Sequence, residues 1–324
     1  MTIASPLNAR EETAQRISEK LKRELGPQIL AWLADDEIIE IMLNPDGALW
    51  VERLGQRAEH LGKMLPHQAE ALMMTLATLK GQTLGYSNPV IECQLPLDGS
   101  RFSGTIQAVH SPSFNIRRRA LRIFSLADYV GANVMTRAQA QLLERGITER
   151  RNILVVGGTG SGKTTLANAL IAQIAQVHPW HRLVIIEDTP EIQCASPNAV
   201  IMQTYEHFTT RRALEVTMRR RPDRIIVGEV RGGEARTLIE AWNTGHAGGI
   251  ATVHANDARA GLLRLEMLCA IGGAPGMEMA IGHAVNLLVF IAPISGSRRI
   301  EEILTVDGYA AGAYQLSQAE TFDA

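Results

Sequence analysis

Residues 157–165 read GGTGSGKTT, between the apolar run NILVV (152–156) and LANALIAQIAQV (166–177). The stretch fits G-x-x-x-x-G-K-[ST], with a strand expected before it and a helix after it. In that setting the glycines let successive backbone N–H groups turn inward around phosphate oxygens. The helix N-terminus adds the positive end of its dipole. Gly158, Thr159, Gly160, Ser161, Gly162, Lys163, Thr164 and Thr165 are therefore the candidate nucleotide-binding set. Lys163 is expected as an exposed contact to the β- and γ-phosphates, and Thr164 as a Mg²⁺ ligand. An ordinary glycine-rich turn is the alternative, and both the spacing and the strand–helix context weigh against it.

A nucleotide hydrolase also needs carboxylates at the ends of neighbouring strands. LVIIEDTPEI offers Glu187, Asp188 and Glu191, and DRIIVGEVRGGEA offers Glu229 and Glu234. One carboxylate must help place Mg²⁺, often through water, and another must orient or deprotonate the attacking water. Glu187 and Glu229 follow clean apolar strands and are the better candidates. Glu191 and Glu234 read equally well as solvated loop charges. NTGHAGGIATVHAND sets His246 and His254 on either side of another strand. Eight residues across a strand is poor metal-ligand spacing. The pair reads instead as γ-phosphate sensing or as hydrogen-bonded structural histidines.

Arginines cluster at NIRRRALR (Arg117 to Arg122) and MRRRPDR (Arg219 to Arg224), with Arg101 and Arg231 apart from them. No aromatics are interleaved, which counts against a stacking surface for single strands. Most read as surface or subunit-interface charges. One or two could neutralise a γ-phosphate.

From Asn152 onward short apolar runs alternate with helical stretches: NILVVG, RLVIIED, AVIMQ, RIIVGE, GIATVHA, NLLVFIA. This pattern implies a largely parallel sheet with crossover helices. A helix is expected over roughly 136–146. Upstream the character differs. Ile17, Leu21, Leu25 and Ile29 repeat at four-residue spacing in a helix over about 10–34. IIEIMLNPDGALWVERLG reads as a β-hairpin around NPDG. PHQAEALMMTLATLKGQ reads as a helix ending near Gly81, and VIECQLPLDGSRFSGTIQ as strands turning at LDGS. The resulting division is an N-terminal helix over 1–34, a small α+β domain over 35–120, a linker over 121–136 and an α/β domain over 137–324.

The 324 residues suit about two domains, and 46% hydrophobic residues suffice for packed cores. A net charge of −2 gives no global field to attract nucleic acid or anionic lipid. Cys93, Cys194 and Cys269 are too few and too scattered for a disulfide set or a metal site, so a reducing, cytosolic compartment is expected. The N-terminus has no secretory pattern. The longest strongly apolar stretch, VNLLVFIAPI from Val285, is about half a membrane span. Any membrane contact is expected to be peripheral.

Four blocks, GGTGSGKTT, IIEDTPEI, RPDRIIVGEVRGGEA and TGHAGGIATVHAND, resemble the Walker A, Asp box, Walker B and His box of the secretion ATPases of type II and type IV systems. The resemblance runs over about 35–295. The last block is similar to the conjugal-transfer branch. The resemblance implies a homohexameric ring at the cytoplasmic face of the inner membrane, working with other type IV secretion or mating-pair components. It implies a PAS-like N-terminal domain, a RecA-like P-loop ATPase domain, and ATP and Mg²⁺ bound between them. Carried over by position, Glu187 matches the proposed general base, Glu229 the Walker B acid that holds Mg²⁺ through water, and His254 the His-box histidine. Arg101 and Arg117 match arginines that approach the γ-phosphate, with Arg118 and Arg119 as adjacent candidates. The absence of a four-cysteine zinc module points away from the type II export branch. Hydrolysis of ATP would power assembly of, or transfer through, a conjugative system. A RecA-like DNA-translocating or helicase-type ATPase is the alternative, and direct DNA contact stays open.

Overall fold

The computed structural model describes residues 6–53, 56–106, 111–118, 123–294 and 297–321. The chain divides into two compact units, Met1–Leu121 and Arg122–Ala324.

The first unit runs α1 (Pro6–Ala34), β1 (Ile38–Leu43), β2 (Ala48–Arg53), β3 (Glu59–Lys63), α2 (Pro66–Leu79), β4 (Val90–Gln94), β5 (Arg101–Thr105) and β6 (Ser113–Arg117). Its strands lie in the order β3-β2-β1-β6-β5-β4, antiparallel throughout. The NPDG hairpin is present: Gly47 N–H donates to Asn44 O, and Asn44 N–H to Ala48 O. The α1 stripe Leu21, Leu25 and Ile29 is buried. It packs with Leu72, Met73 and Leu76 of α2 over Ile41, Val51, Phe102 and Ile116 of the sheet. The helix expected over 10–34 is not continuous. Gly26 breaks it at φ 76°, ψ 164°. Pro27 lacks an N–H and disfavours helical backbone in the residue before it, and glycine accepts the left-handed value.

The second unit runs α3 (Leu126–Gly131), α4 (Arg137–Thr148), β7 (Ile153–Gly157), α5 (Lys163–Val177), β8 (Leu183–Glu187), β9 (Ala199–Gln203), α6 (Thr210–Thr217) and β10 (Arg224–Val227). It continues with α7 (Glu234–Asn243), β11 (Ile250–His254), α8 (Ala258–Ile271), α9 (Glu278–Ala284), β12 (Leu287–Ile294), β13 (Ser297–Ala310) and β14 (Ala313–Thr321). The strand order is β14-β13-β12-β7-β11-β10-β8-β9. β7 to β12 are parallel, and β13 and β14 add an antiparallel edge. Successive strand residues point to opposite faces. Thus Leu154, Val156, Ile186 and Val253 pack under α7, α8 and α9, while Ile153, Val155, Ile185 and Ile226 pack under α4 and α5. With helices on both faces, the central strands are apolar at nearly every position. Among the described residues no helix is long and apolar enough to cross a membrane.

At the N-terminal end of these strands Arg224 is 1% exposed. It donates to Gly248 O, to Ile147 O and, from Nε at 3.1 Å, to His181 Nδ1. His181 also stacks on His178 with ring centroids 4.3 Å apart. Burial and the Arg224 charge push the His181 pKa below 6.5. Because the folded value is depressed, the stabilisation is present above the unfolded pKa and is lost as pH falls through the folded one. Wild type should therefore lose urea stability relative to His181→Gln as pH drops from about 7 to about 5. Gln can still accept from Arg224 but does not titrate. Parallel pH profiles for the two proteins would rule this out.

Candidate nucleotide site

The sheet order explains why the sequence motifs meet. β7, β11, β10 and β8 are neighbours, and their C-terminal ends carry Gly157, His254, Glu229 (two residues beyond the strand) and Glu187. His254 lies directly opposite Gly157 in the β11–β7 register. Ligands of open α/β sheets bind at this end of the strands.

The loop after β7 opens α5 through Gly162, whose φ of 94° a side chain would strain. A Cβ built on Gly158 or Gly160 meets nothing within 4 Å, so the loop borders open space. Ser161 is buried, and among the described residues its Oγ has no hydrogen-bond partner. Thr164 and Thr165 stand in the first turn of α5, partly buried, and Thr159 lies in the loop. The expectation of an exposed Lys163 is corrected: the residue is 7% exposed. Its ammonium folds back on the loop, donating to Gly158 O at 2.8 Å and lying 3.3 Å from His254 Nδ1.

His254 Nε2 is 3.0 Å from Glu229 Oε1. Arg231 then bridges two carboxylates, with Nη2 2.7 Å from Glu229 Oε2 and Nη1 2.6 Å from Asp188 Oδ2. The bond to Glu229 is the largest cause that raises the Arg231 pKa. Desolvation and then the Lys163 charge lower the His254 pKa, with Glu229 opposing them. Lys163, His254, Glu229, Arg231 and Asp188 thus form one chain of contacts along the mouth of the sheet.

Glu187 is 4% exposed. Its Oε2 accepts the backbone N–H groups of Glu191 and Ile192 at 2.8 and 2.9 Å. It therefore shapes the turn after β8. Asn168 of α5 fastens the same turn, donating to Glu191 O and accepting from Gln193 N–H. Glu234 is not a loose loop charge. Its Oε1 accepts from the N–H groups of Arg231 and Gly232 at the start of α7. His246 precedes β11 and so lies at the other end of that strand from His254.

In the first unit, Arg101 of β5 and Arg117 of β6 face each other as direct register partners. Opposed residues have Cβ atoms about 5 Å apart, and like charges there repel. Among the described residues neither side chain has a hydrogen bond or an ion pair. Arg118 differs: its side chain is 7% exposed, Nη1 donates to Asp35 O and Ile38 O, and Nη2 lies 3.8 Å from Asp36. Arg119 lies outside the described residues. Sequence reasoning missed Asn168, the Arg231 bridge and Arg298, whose Nε donates to Gly160 O at 3.2 Å. Apart from Glu229, two residues before Arg231, their partners lie from 23 to 138 residues away, and no local pattern announces them.

Residues 26–289 match the family described as type II/IV secretion system protein. The chain is 48% identical over 301 residues to the conjugal transfer protein TrbB of Rhizobium radiobacter, covering 93% of each chain. It is 31% identical to the type IV secretion system protein PtlH of Bordetella pertussis, covering 86% of this chain and 94% of that one. The X-ray structure of the Legionella pneumophila ATPase DotB shares the fold, with a TM-score of 0.62 at 18% identity, covering 85% of this chain and 79% of that one. The chain belongs to the type II/IV secretion system protein family, and its likeness to TrbB covers nearly its whole length.

Proposed function

We propose that the protein is the ATPase of a conjugative type IV secretion system and converts ATP and water to ADP and phosphate. The observation that carries this reading is the chain from Lys163 through His254 and Glu229 to Arg231 beside the phosphate loop. The order β12-β7-β11-β10-β8 supports a RecA-like P-loop domain over 137–324, because one strand separates the loop strand from the Glu229 strand. The antiparallel sheet and its two helices support a PAS-like reading of 35–120 with the 1–34 helix packed on it. Residues 121–136 lead from one to the other, and Leu126, Tyr129 and Met135 within them pack into the core of the second unit.

In this reading the loop amides, Lys163, Thr164 and Thr165 hold the phosphates. A hydroxyl and a carboxylate are hard oxygen donors of the kind Mg²⁺ takes, so Thr164 and, through water, Glu229 fit as its holders. The ion supplies charge neutralisation on the phosphate oxygens. Glu187 orients or deprotonates the attacking water. His254 passes the state of the phosphate end to Glu229. Arg101 and Arg117, two cations held side by side, supply positive charge to the γ-phosphate.

The subunits form a homohexamer at the cytoplasmic face of the inner membrane, peripherally bound and joined to other secretion components. The test is sedimentation and turnover of the purified chain with and without MgATP. Wild type should close into a six-membered ring with MgATP. The Arg101→Ala/Arg117→Ala double variant should hydrolyse on the order of a thousandfold slower or worse. A double variant with wild-type assembly and turnover would remove both arginines from the site.

A further inference from the structure

Arg298 belongs to none of the four motifs. It lies at the start of β13, opposite Pro293 of β12. β12 runs parallel to β7, so the β12–β13 hairpin stands at the phosphate-loop end of the sheet. The hairpin presses on the loop from outside. A Cβ on Gly157 would collide with the Ile291 carbonyl oxygen, and a Cβ on Gly162 would sit 2.9 Å from Arg298 Cδ. Between these contacts Arg298 Nε–H donates to Gly160 O at 3.2 Å.

The inner side of the loop makes different bonds. Gly158 O accepts both the Lys163 ammonium, at 2.8 Å, and the Ser161 N–H, at 3.4 Å. A carbonyl oxygen thus takes up donors that an anion would also attract. In a trans peptide the C=O of Gly160 and the N–H of Ser161 point to opposite sides. A donor that holds the Gly160 carbonyl outward therefore turns the Ser161 N–H inward.

We infer that Arg298 is a positioning residue for the phosphate loop. Its Nε–H braces the Gly160 peptide from outside, so an incoming phosphate group has only to displace the Gly158 carbonyl. The inference rests on the proposed nucleotide site. It assigns the effect to the hydrogen bond and not to the arginine charge.

Two variants separate these causes. Arg298→Met keeps the aliphatic stem against Gly162 and puts a methyl group at the position of Nε. Arg298→Gln puts an uncharged N–H donor at that position. The full-length purified proteins are compared for MgATP affinity, kcat, KM and nucleotide-free melting temperature. Arg298→Met should weaken MgATP binding by up to about tenfold, the size of one hydrogen bond, with kcat unchanged. Arg298→Gln should recover most of the affinity, and all three proteins should melt alike without nucleotide. Wild-type affinity in Arg298→Met overturns the inference. So does an equal loss in both variants, which would assign the effect to charge. A lower kcat at unchanged KM, or an affinity loss that tracks the nucleotide-free melting temperature, also overturns it. Lys163→Ala in the same titration guards the underlying reading: if wild type and Lys163→Ala bind MgATP alike, the site itself is misassigned.

Discussion

Lys163→Ala should abolish conjugal transfer while leaving the protein folded. Lys163 is the cation of the phosphate loop, and removing it takes away the charge that would meet the β- and γ-phosphates. Its structural role is smaller. The ammonium donates to Gly158 O and lies near His254, whose basicity burial and then the Lys163 charge depress. Truncation takes a donor from Gly158 O, which still accepts the Ser161 N–H, so the loss is about 1 kcal/mol. A melting curve close to wild type, together with no transfer in a mating assay, is the expected pair of results. A variant that supports transfer at near wild-type frequency would remove Lys163 from the mechanism.

Glu187→Gln and Glu229→Gln should fail in different ways. Loss of a general base costs about a hundredfold or more, so Glu187→Gln should bind MgATP and hydrolyse it that much slower. Its fold should survive, because the Gln carbonyl oxygen can still accept the amides of Glu191 and Ile192. Glu229→Gln should instead weaken the Mg²⁺ dependence of binding and release Arg231 and His254 from their shared partner. Binding and turnover measured side by side decide between them. If Glu229→Gln binds MgATP normally and only that variant loses turnover, the two roles are exchanged.

What could be read from the sequence was what has a local cause. The phosphate loop is fixed by the spacing of Gly157, Gly162, Lys163 and Thr164. The parallel strands show as apolar runs because both sheet faces are covered, and the β1–β2 hairpin shows in the NPDG turn. Contacts between distant residues were not readable. Arg298 reaches a carbonyl 138 residues away. Arg117 and Arg118 are adjacent and chemically equal in sequence. Strand alternation leaves Arg117 exposed and sends Arg118 to the carbonyls at the end of α1. The β13–β14 hairpin went unread because Ala311 and Gly312 turn it with φ of 53° and 77°, without the Asn-Gly signal such a turn usually carries. The sequence marks Glu187 as a candidate base, and its second task, tying the turn after β8, depends on backbone amides that carry no sequence signature.

Everything proposed for this chain rests on ATP hydrolysis at the Lys163 loop. Phosphate release from MgATP by the purified full-length chain, run beside Lys163→Ala at equal protein concentration, tests it most directly. Wild type should release phosphate steadily, and Lys163→Ala none above the uncatalysed background. Equal release by the two proteins would contradict it.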